Sequence, residues 1–443
     1  MTHRPIVGCV TGEASGEATD ERAVAARRAV EAVWHIESGR LVAGLARVTG
    51  DLGLAEDLAQ EALVAALEQW PVSGIPPNPG GWLMTTAKRR AIDAHRRTVT
   101  FERKAAVLAR EAVADEPGVD TDSRVDSLDD PVGDDLLRLV FTACHPVLSL
   151  ESRVALTLRC LGGLSTDEIA RAFLVPEPTM AQRIVRAKKT LTDKGVRFEL
   201  PTADELPRRL GPVLEVVYLI FNEGYAATSG EDWVRPALCQ EAMRLGRVLV
   251  GLLPDEPEAL GLLSLMELQA SRLPARLGAD GQPVLLPDQD RRRWDRLLVR
   301  RGLESLARAE ASGRPLGPYA VQAAIAACHA RALRPEDTDW HLVAELYDVL
   351  RTVWPSPVVE VNRAVAVGFS RGPDAGLVVV DQVVASGRLA SYPHLHAVRG
   401  DLLERAGRHT EAADAFERAA SLTRSDVERS IFTGRARAAR TAT

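Results

Sequence analysis

Residues 177–197 hold six basic side chains (Arg183, Arg186, Lys188, Lys189, Lys194, Arg197) against Glu177 and Asp193. Residues 82–104 hold seven (Lys88, Arg89, Arg90, Arg96, Arg97, Arg103, Lys104) against Asp93 and Glu102. Side chains of this kind neutralise phosphates and release condensed counterions. On a helix, long donors also reach base edges. Trp82 opens the earlier cluster; an indole there either stacks on unpaired bases or fills a core. Covalent chemistry has no comparable constellation. There is no Gly-x-x-x-x-Gly-Lys-Ser/Thr, no His-Glu-x-x-His and no nucleotide-binding glycine fingerprint. The Ser, His and Asp residues have no catalytic motif context. Cys144-His145 lacks a second ligand pair at useful spacing. The chain is therefore expected not to be an enzyme and to carry no cofactor or metal.

The elements that must position these groups follow from periodicity. In Leu164–Leu191, Ser165 and Glu168 form a capping box, and Ile169, Ala170 and Phe173 give a first helix its apolar face. Leu174 to Glu177 is a turn, with Pro176 opposing a continuous helix. Pro178 suits the start of a second helix, whose buried face is Met180, Ile184, Ala187 and Leu191. Two short helices, a tight turn and a basic second helix describe a helix-turn-helix. The same pattern also fits a helical hairpin with a solvated basic face. Thr179, Gln182 and Arg183 are the base-edge candidates; Arg186 and Lys188 are the phosphate candidates.

Upstream, 21–49 reads as a helix with Val24, Val30, Val33, Trp34, Leu41, Leu45 and Val48 apolar. Residues 51–70 read as a second, with Leu54, Leu58, Ala62, Ala65 and Leu67 inward and Glu56, Asp57, Gln60 and Glu61 on a compact acidic-polar surface. Four prolines and three glycines in 71–81 dictate a loop before a basic helix at 82–97.

At 443 residues the chain is long enough for two to four domains. Its net charge of −6 gives no global basic signature, so segments matter more than the sum. No apolar run approaches the ~20 residues of a membrane span. The N-terminus lacks the apolar core of a secretory signal. Five scattered cysteines with no Cys-x-x-Cys suit a reducing compartment. A cytoplasmic location without membrane contact is expected. Residues 111–135 hold ten acids, one arginine and few apolar groups, too little to fold alone. Beyond 197, helical periodicity continues at 207–221, 233–253, 256–277, 289–310, 318–334, 338–353 and 358–369, with a short extended arm at 280–287. In 394–422, Gly400, Leu403, Gly407, Ala412, Phe416 and Ala419 fall at tetratricopeptide spacings.

Asp57-x-x-Gln60-Glu61-Ala62-Leu63, followed by Trp82-Leu83 with Ala87, Ala91, Asp93, Arg96 and Arg97, resembles region 2 of bacterial sigma factors of the extracytoplasmic-function (ECF) group, sigma-70 family. The helix-turn-helix resembles region 4.2 of the same group. Motifs such as FNEGY (221–225), PDQDRRRW (287–294) and PSPVVEVNRAVAV (355–367) resemble those of a subfamily with a tetratricopeptide-like C-terminal extension.

The resemblance implies an all-α protein. Its parts would be a disordered tail (1–20), sigma region 2 (21–104), an acidic linker (105–133), sigma region 4 (134–197) and a helical extension (198–443). It implies that Asp57, Gln60 and Glu61 dock on the β′ clamp helices of RNA polymerase core, with the β subunit as a further partner. It implies that Trp82, Lys88, Arg89, Arg90, Arg96 and Arg97 bind and open the −10 element. Thr179, Gln182, Arg183, Arg186 and Lys188 would bind the −35 element of promoter DNA. Many relatives carry Asn at the position of Arg89, so base preference does not carry over. The linker threads the polymerase active-site path in the family, where an acidic strand mimics RNA. The extension is expected to bind a protein or ligand and to modulate activity. The competing expectation is a one-component helix-turn-helix regulator with a helical sensor domain, which has no use for the clamp-like helix or the Trp-led basic helix.

Overall fold

The computed structural model describes residues 13–93, 132–225, 235–278, 284–423 and 425–442. No β-strand occurs among them; the fold is all-α. The linker 105–133 lies almost wholly outside the described residues, as do Arg96, Arg97 and the first half of the expected extended arm, 280–283. The chain divides into two compact units, 1–216 and 217–443.

In the first unit, α1 (Glu13–Thr49) and α2 (Leu52–Ser73) form a hairpin. Gly50 turns between them at φ +69°, and Asp51 caps α2 by accepting from the Leu54 N–H at 2.8 Å. Helix α1 begins eight residues before the expected start at Glu21. Helix α2 runs through Pro71, whose ring is accommodated in the last turn, so the loop shrinks to 74–78. Helix α3 (79–93) starts where the Asn78 side chain accepts from the Gly81 N–H at 3.0 Å. Leu83, Ala87 and Ala91, four apart, form its buried stripe. Leu54 and Leu67, expected inward, are exposed, as is Val24 among the apolar positions of α1. The seam of α2 is instead Ala55, Leu58, Ala59, Ala62, Leu63, Ala65 and Ala66, whose alanines let the helices approach closely.

Among the described residues this unit also contains α4 (Val132–Ala143), α5 (Leu150–Cys160), α6 (Thr166–Ala172) and α7 (Glu177–Asp193). The turn before α6 abuts α1 directly. Gly163 has φ +68°, and a Cβ there would lie 2.7 Å from Ser38 Oγ and 3.2 Å from the Trp34 carbonyl. Only glycine fits both demands.

The second unit is built from α9 (Pro236–Leu252), α10 (Pro257–Ala270), α11 (Arg296–Ala311), α12 (Pro318–Arg331), α13 (Trp340–Val353), α14 (Pro357–Arg371), α15 (Pro373–Ala385), α16 (Pro393–Arg405), α17 (His409–Leu422) and α18 (Asp426–Thr441). Helix α8 (Leu206–Tyr225) contains the boundary between the units. Helix α10 is buried on nearly every face, Ser264 and Glu267 included, as expected for a helix with neighbours on several sides. The spacing in 394–422 becomes a close crossing of α16 on α17. A Cβ at Gly400 would sit 2.8–3.0 Å from the Phe416 ring, which is fully buried. Helices α15 and α18 have no counterpart among the expected segments.

Candidate nucleic-acid interface

The helix-turn-helix begins at Ser165, which accepts from the Glu168 N–H while the Glu168 carboxylate accepts from the Ser165 N–H at 2.7 Å. Those bonds hold the Glu168 carboxyl below its usual range even though burial acts the other way. Leu174 makes the turn in the left-handed region, φ +51°. Helix α7 starts at Glu177, one residue before Pro178. Met180, Ile184, Ala187 and Leu191 are its buried face. Thr179, Gln182 and Arg186 are exposed and Arg183 half-buried, along the N-terminal half of the helix. A recognition helix presents those turns to base edges.

Lys188 is placed otherwise. Its side chain is only 15% exposed and its ammonium pairs with the buried carboxylate of Glu56 and with Asp57 Oδ1 at 3.1 Å. Glu56 also takes Arg159 Nε at 2.9 Å. Thr192 Oγ1 donates to Asp51 Oδ2 at 2.9 Å, and Arg47 meets Asp135 at 3.2 Å. One carboxylate between two cations is a compensated buried charge. Burial disfavours the Lys188 ammonium, but Glu56 and Asp57 outweigh it and raise its pKa. A lysine raised in this way contributes stability throughout neutral pH, lost only above its own alkaline titration. One of the two phosphate candidates of α7 is thus engaged by acidic residues of α2, while Arg186 stays exposed.

The remaining polymerase-docking candidates stay near the surface. Asp57 and Glu61 are exposed. Gln60 is half-buried, its Nε2 buried without an acceptor. Glu61 Oε2 accepts from Arg90 Nη1 at 2.8 Å, so an expected docking residue is paired with an expected −10 residue. Arg89 is exposed and Lys88 half-buried. Trp82 is half-buried, set edge-on against the buried Trp70 with centroids 5.5 Å apart. It keeps one flank for core packing and another for solvent. The pairing of Glu56 with Arg159 leaves no mark in the sequence: 103 residues separate them, and no local pattern reveals a pair that distant.

No group of three or more His, Cys, Asp or Glu suited to a metal occurs among the described residues. Burial pushes the thiol of Cys144 up to about 11 and that of Cys160 up to about 12, which keeps both protonated and inert. No described helix is long and apolar enough to cross a membrane.

Residues 36–100 match the sigma-70 region 2 family and residues 138–191 match sigma-70 region 4. Residues 209–310 match a family of unknown function. An uncharacterized protein of Rhizobium meliloti (strain 1021) is 45% identical over 383 residues, covering 85% of this chain and 88% of that one. The ECF RNA polymerase sigma factor SigL of Mycobacterium tuberculosis (strain ATCC 25618 / H37Rv) is 31% identical over 155 residues, 34% of this chain and 81% of SigL. The probable ECF RNA polymerase sigma factor SigI of the same strain is 29% identical over 174 residues, 39% of this chain and 58% of SigI. No solved structure matches the chain. An acidic helix followed by a basic one, with a helix-turn-helix behind them, is a set of parts for initiating transcription. The chain belongs to the sigma-70 family, ECF group, and carries a helical C-terminal extension.

Proposed function

We propose that this protein binds RNA polymerase core through Asp57, Gln60 and Glu61 on α2. On that reading it engages the −10 element through Trp82, Lys88, Arg89, Arg90, Arg96 and Arg97. It reads the −35 element through Thr179, Gln182, Arg183, Arg186 and Lys188, with its C-terminal helical unit modulating the outcome. The observation that carries this reading is the exposure of both surfaces: the acidic rim of α2 and the N-terminal turns of α7 face solvent, each backed by a packed apolar stripe. A one-component regulator needs the second surface but not the first.

The contact of Lys188 with Glu56 and Asp57 adds a step. Engagement of a phosphate by Lys188 requires α7 to part from α2. The free protein is the closed form, and polymerase and promoter together hold the open one.

The test is run-off transcription with purified core enzyme, on promoters mapped from transcripts that rise on overexpression. The full chain directs specific initiation. The double variant Asp57→Ala, Glu61→Ala lowers core affinity by roughly tenfold, the scale of charged contacts at an interface rim, while duplex binding by the protein alone does not fall, since Lys188 and Arg90 lose acidic partners. Absence of a promoter-specific product with the parent chain defeats the sigma reading. Unchanged core affinity in the double variant relocates the docking surface.

A further inference from the structure

FNEGY and PDQDRRRW lie outside the two matched sigma regions, and the second unit brings them to one place. Tyr225 ends α8, Arg272 and Arg276 flank the 3-10 turn Leu273–Ala275, and Arg291 opens the 3-10 turn before Trp294. The Arg276 guanidinium carbon stands 3.9 Å from the centroid of the Tyr225 ring. That of Arg272 stands 6.0 Å from Tyr225 and 5.8 Å from Trp294. That of Arg291 stands 5.2 Å from Trp294. Three cations therefore alternate with two rings, with Arg272 in the middle. His329, on α12, feels both Arg272 and Arg291; burial first, and then these cations, lower its pKa to about 4, so it is neutral.

The cations are not equivalent. Arg291 is fixed by the fold: it donates to the carbonyls of His329 and Ala332, both at 2.8 Å, and to Thr338 Oγ1 at 3.2 Å, with Glu336 and Asp337 near enough to support its charge. Among the described residues no carboxylate acts on Arg272; burial, Tyr225 and the like charge of Arg276 are what it meets. Its Nε is buried without an acceptor. Two other part-buried arginines of this unit have an acid partner, Arg235 with Glu223 at 2.6 Å and Arg363 with Asp348 at 2.7 Å. Around Arg272 further polar atoms are buried and unanswered, among them Tyr225 OH, Trp294 Nε1 and His329 Nδ1. Desolvating a guanidinium beside other cations is costly without an anion, and ring contacts offset only part of that cost. Planar guanidinium donors with hydroxyl and indole N–H groups match an oxyanion.

We propose that the C-terminal unit holds a binding site for a small-molecule oxyanion, a carboxylate or phosphate group, centred on Arg272 and completed by Arg291, Tyr225 and Trp294. Arg291 is its fixed wall and Arg272 the cation that the ligand neutralises.

The experiment uses the full chain at constant ionic strength, with chloride replaced stepwise by inorganic phosphate in one series and by acetate in another. Thermal unfolding and titration calorimetry are the readouts. The parent's unfolding midpoint rises saturably in at least one series; which one responds assigns phosphate or carboxylate. Arg272→Gln abolishes the response and, in chloride alone, unfolds no lower than the parent, because it removes a buried charge without a counter-ion. Tyr225→Phe keeps the fold and weakens the responding anion by about tenfold, the scale of a hydrogen bond to a charged group. A parent that responds to neither anion overturns the proposal, as does an Arg272→Gln protein that responds as the parent does. Should Arg272→Gln not fold, Tyr225→Phe decides, and unchanged anion affinity overturns the site.

Discussion

Lys188 is the residue at which structure and expected role pull apart. A lysine on the outer face of a recognition helix is a phosphate contact, but here its ammonium lies between Glu56 and Asp57. The Glu56 side of this pair is buried, whereas Asp57 is 70% exposed and screened, so the Asp57 part is weak. Replacing Lys188 by Met separates the two roles by sign. Promoter affinity falls and its logarithmic salt slope shrinks by about 1, as for one lost phosphate contact. Affinity for polymerase core rises by about two- to fivefold, because Asp57 loses a competitor. Filter binding over a salt series and fluorescence anisotropy with labelled core measure the two quantities. A drop in both affinities means that Lys188 merely holds the fold.

Among the elements, the turn before α6 decides how tightly the helix-turn-helix sits on α1. Gly163→Ala forces a side chain into the left-handed region and against Ser38 Oγ. The conformational part alone costs about 1 kcal/mol. The variant therefore unfolds at lower denaturant, and amides of α6 and α7 exchange faster than those in the α1–α2 hairpin. Uniform protection across the unit would show that the turn is not the hinge. Much at this scale was legible in the sequence. The buried face of α7 follows a strict four-residue spacing, and the capping box of α6 is a local code. Leu54 and Leu67 are exposed against expectation because the alanine-rich α2 offers two stripes of similar hydrophobicity, and packing chose the smaller side chains. Helix α15 was missed because its run of valines carries no clear helical period, and β-branched residues favour strands. The burial of Glu56 was not legible at all, since its partners lie on α5 and α7, far along the chain.

For the whole molecule, sigma-type regions and a larger helical extension share one polypeptide. Under the proposed function the extension changes what the sigma regions achieve. Residues 1–216, the first compact unit, retain Glu215, which meets Arg153 at 3.3 Å, and Arg209, whose guanidinium donates to the Phe141 carbonyl at 2.9 Å. A cut near residue 200 removes both. Promoter-directed synthesis by 1–216 differs from that of the full chain at equal core occupancy, measured by run-off transcription. Equal product from the two proteins refutes modulation by the extension. The family match of 209–310 spans the end of the first unit and the start of the second, so sequence similarity did not reveal where the packing divides.

The Lys188 contact carries one more consequence, a matter of reciprocity. A single ammonium is shared by an acid surface offered to polymerase and a basic surface offered to DNA. Whatever draws it to a phosphate leaves Asp57 a freer acid, and whatever occupies Asp57 leaves Lys188 a freer cation. Thermodynamic linkage makes the two enhancements equal in equilibrium affinity. Under the proposed function, a short −35 duplex with no −10 sequence is then an effector in its own right: it strengthens polymerase binding by the same factor by which polymerase strengthens its hold on that duplex.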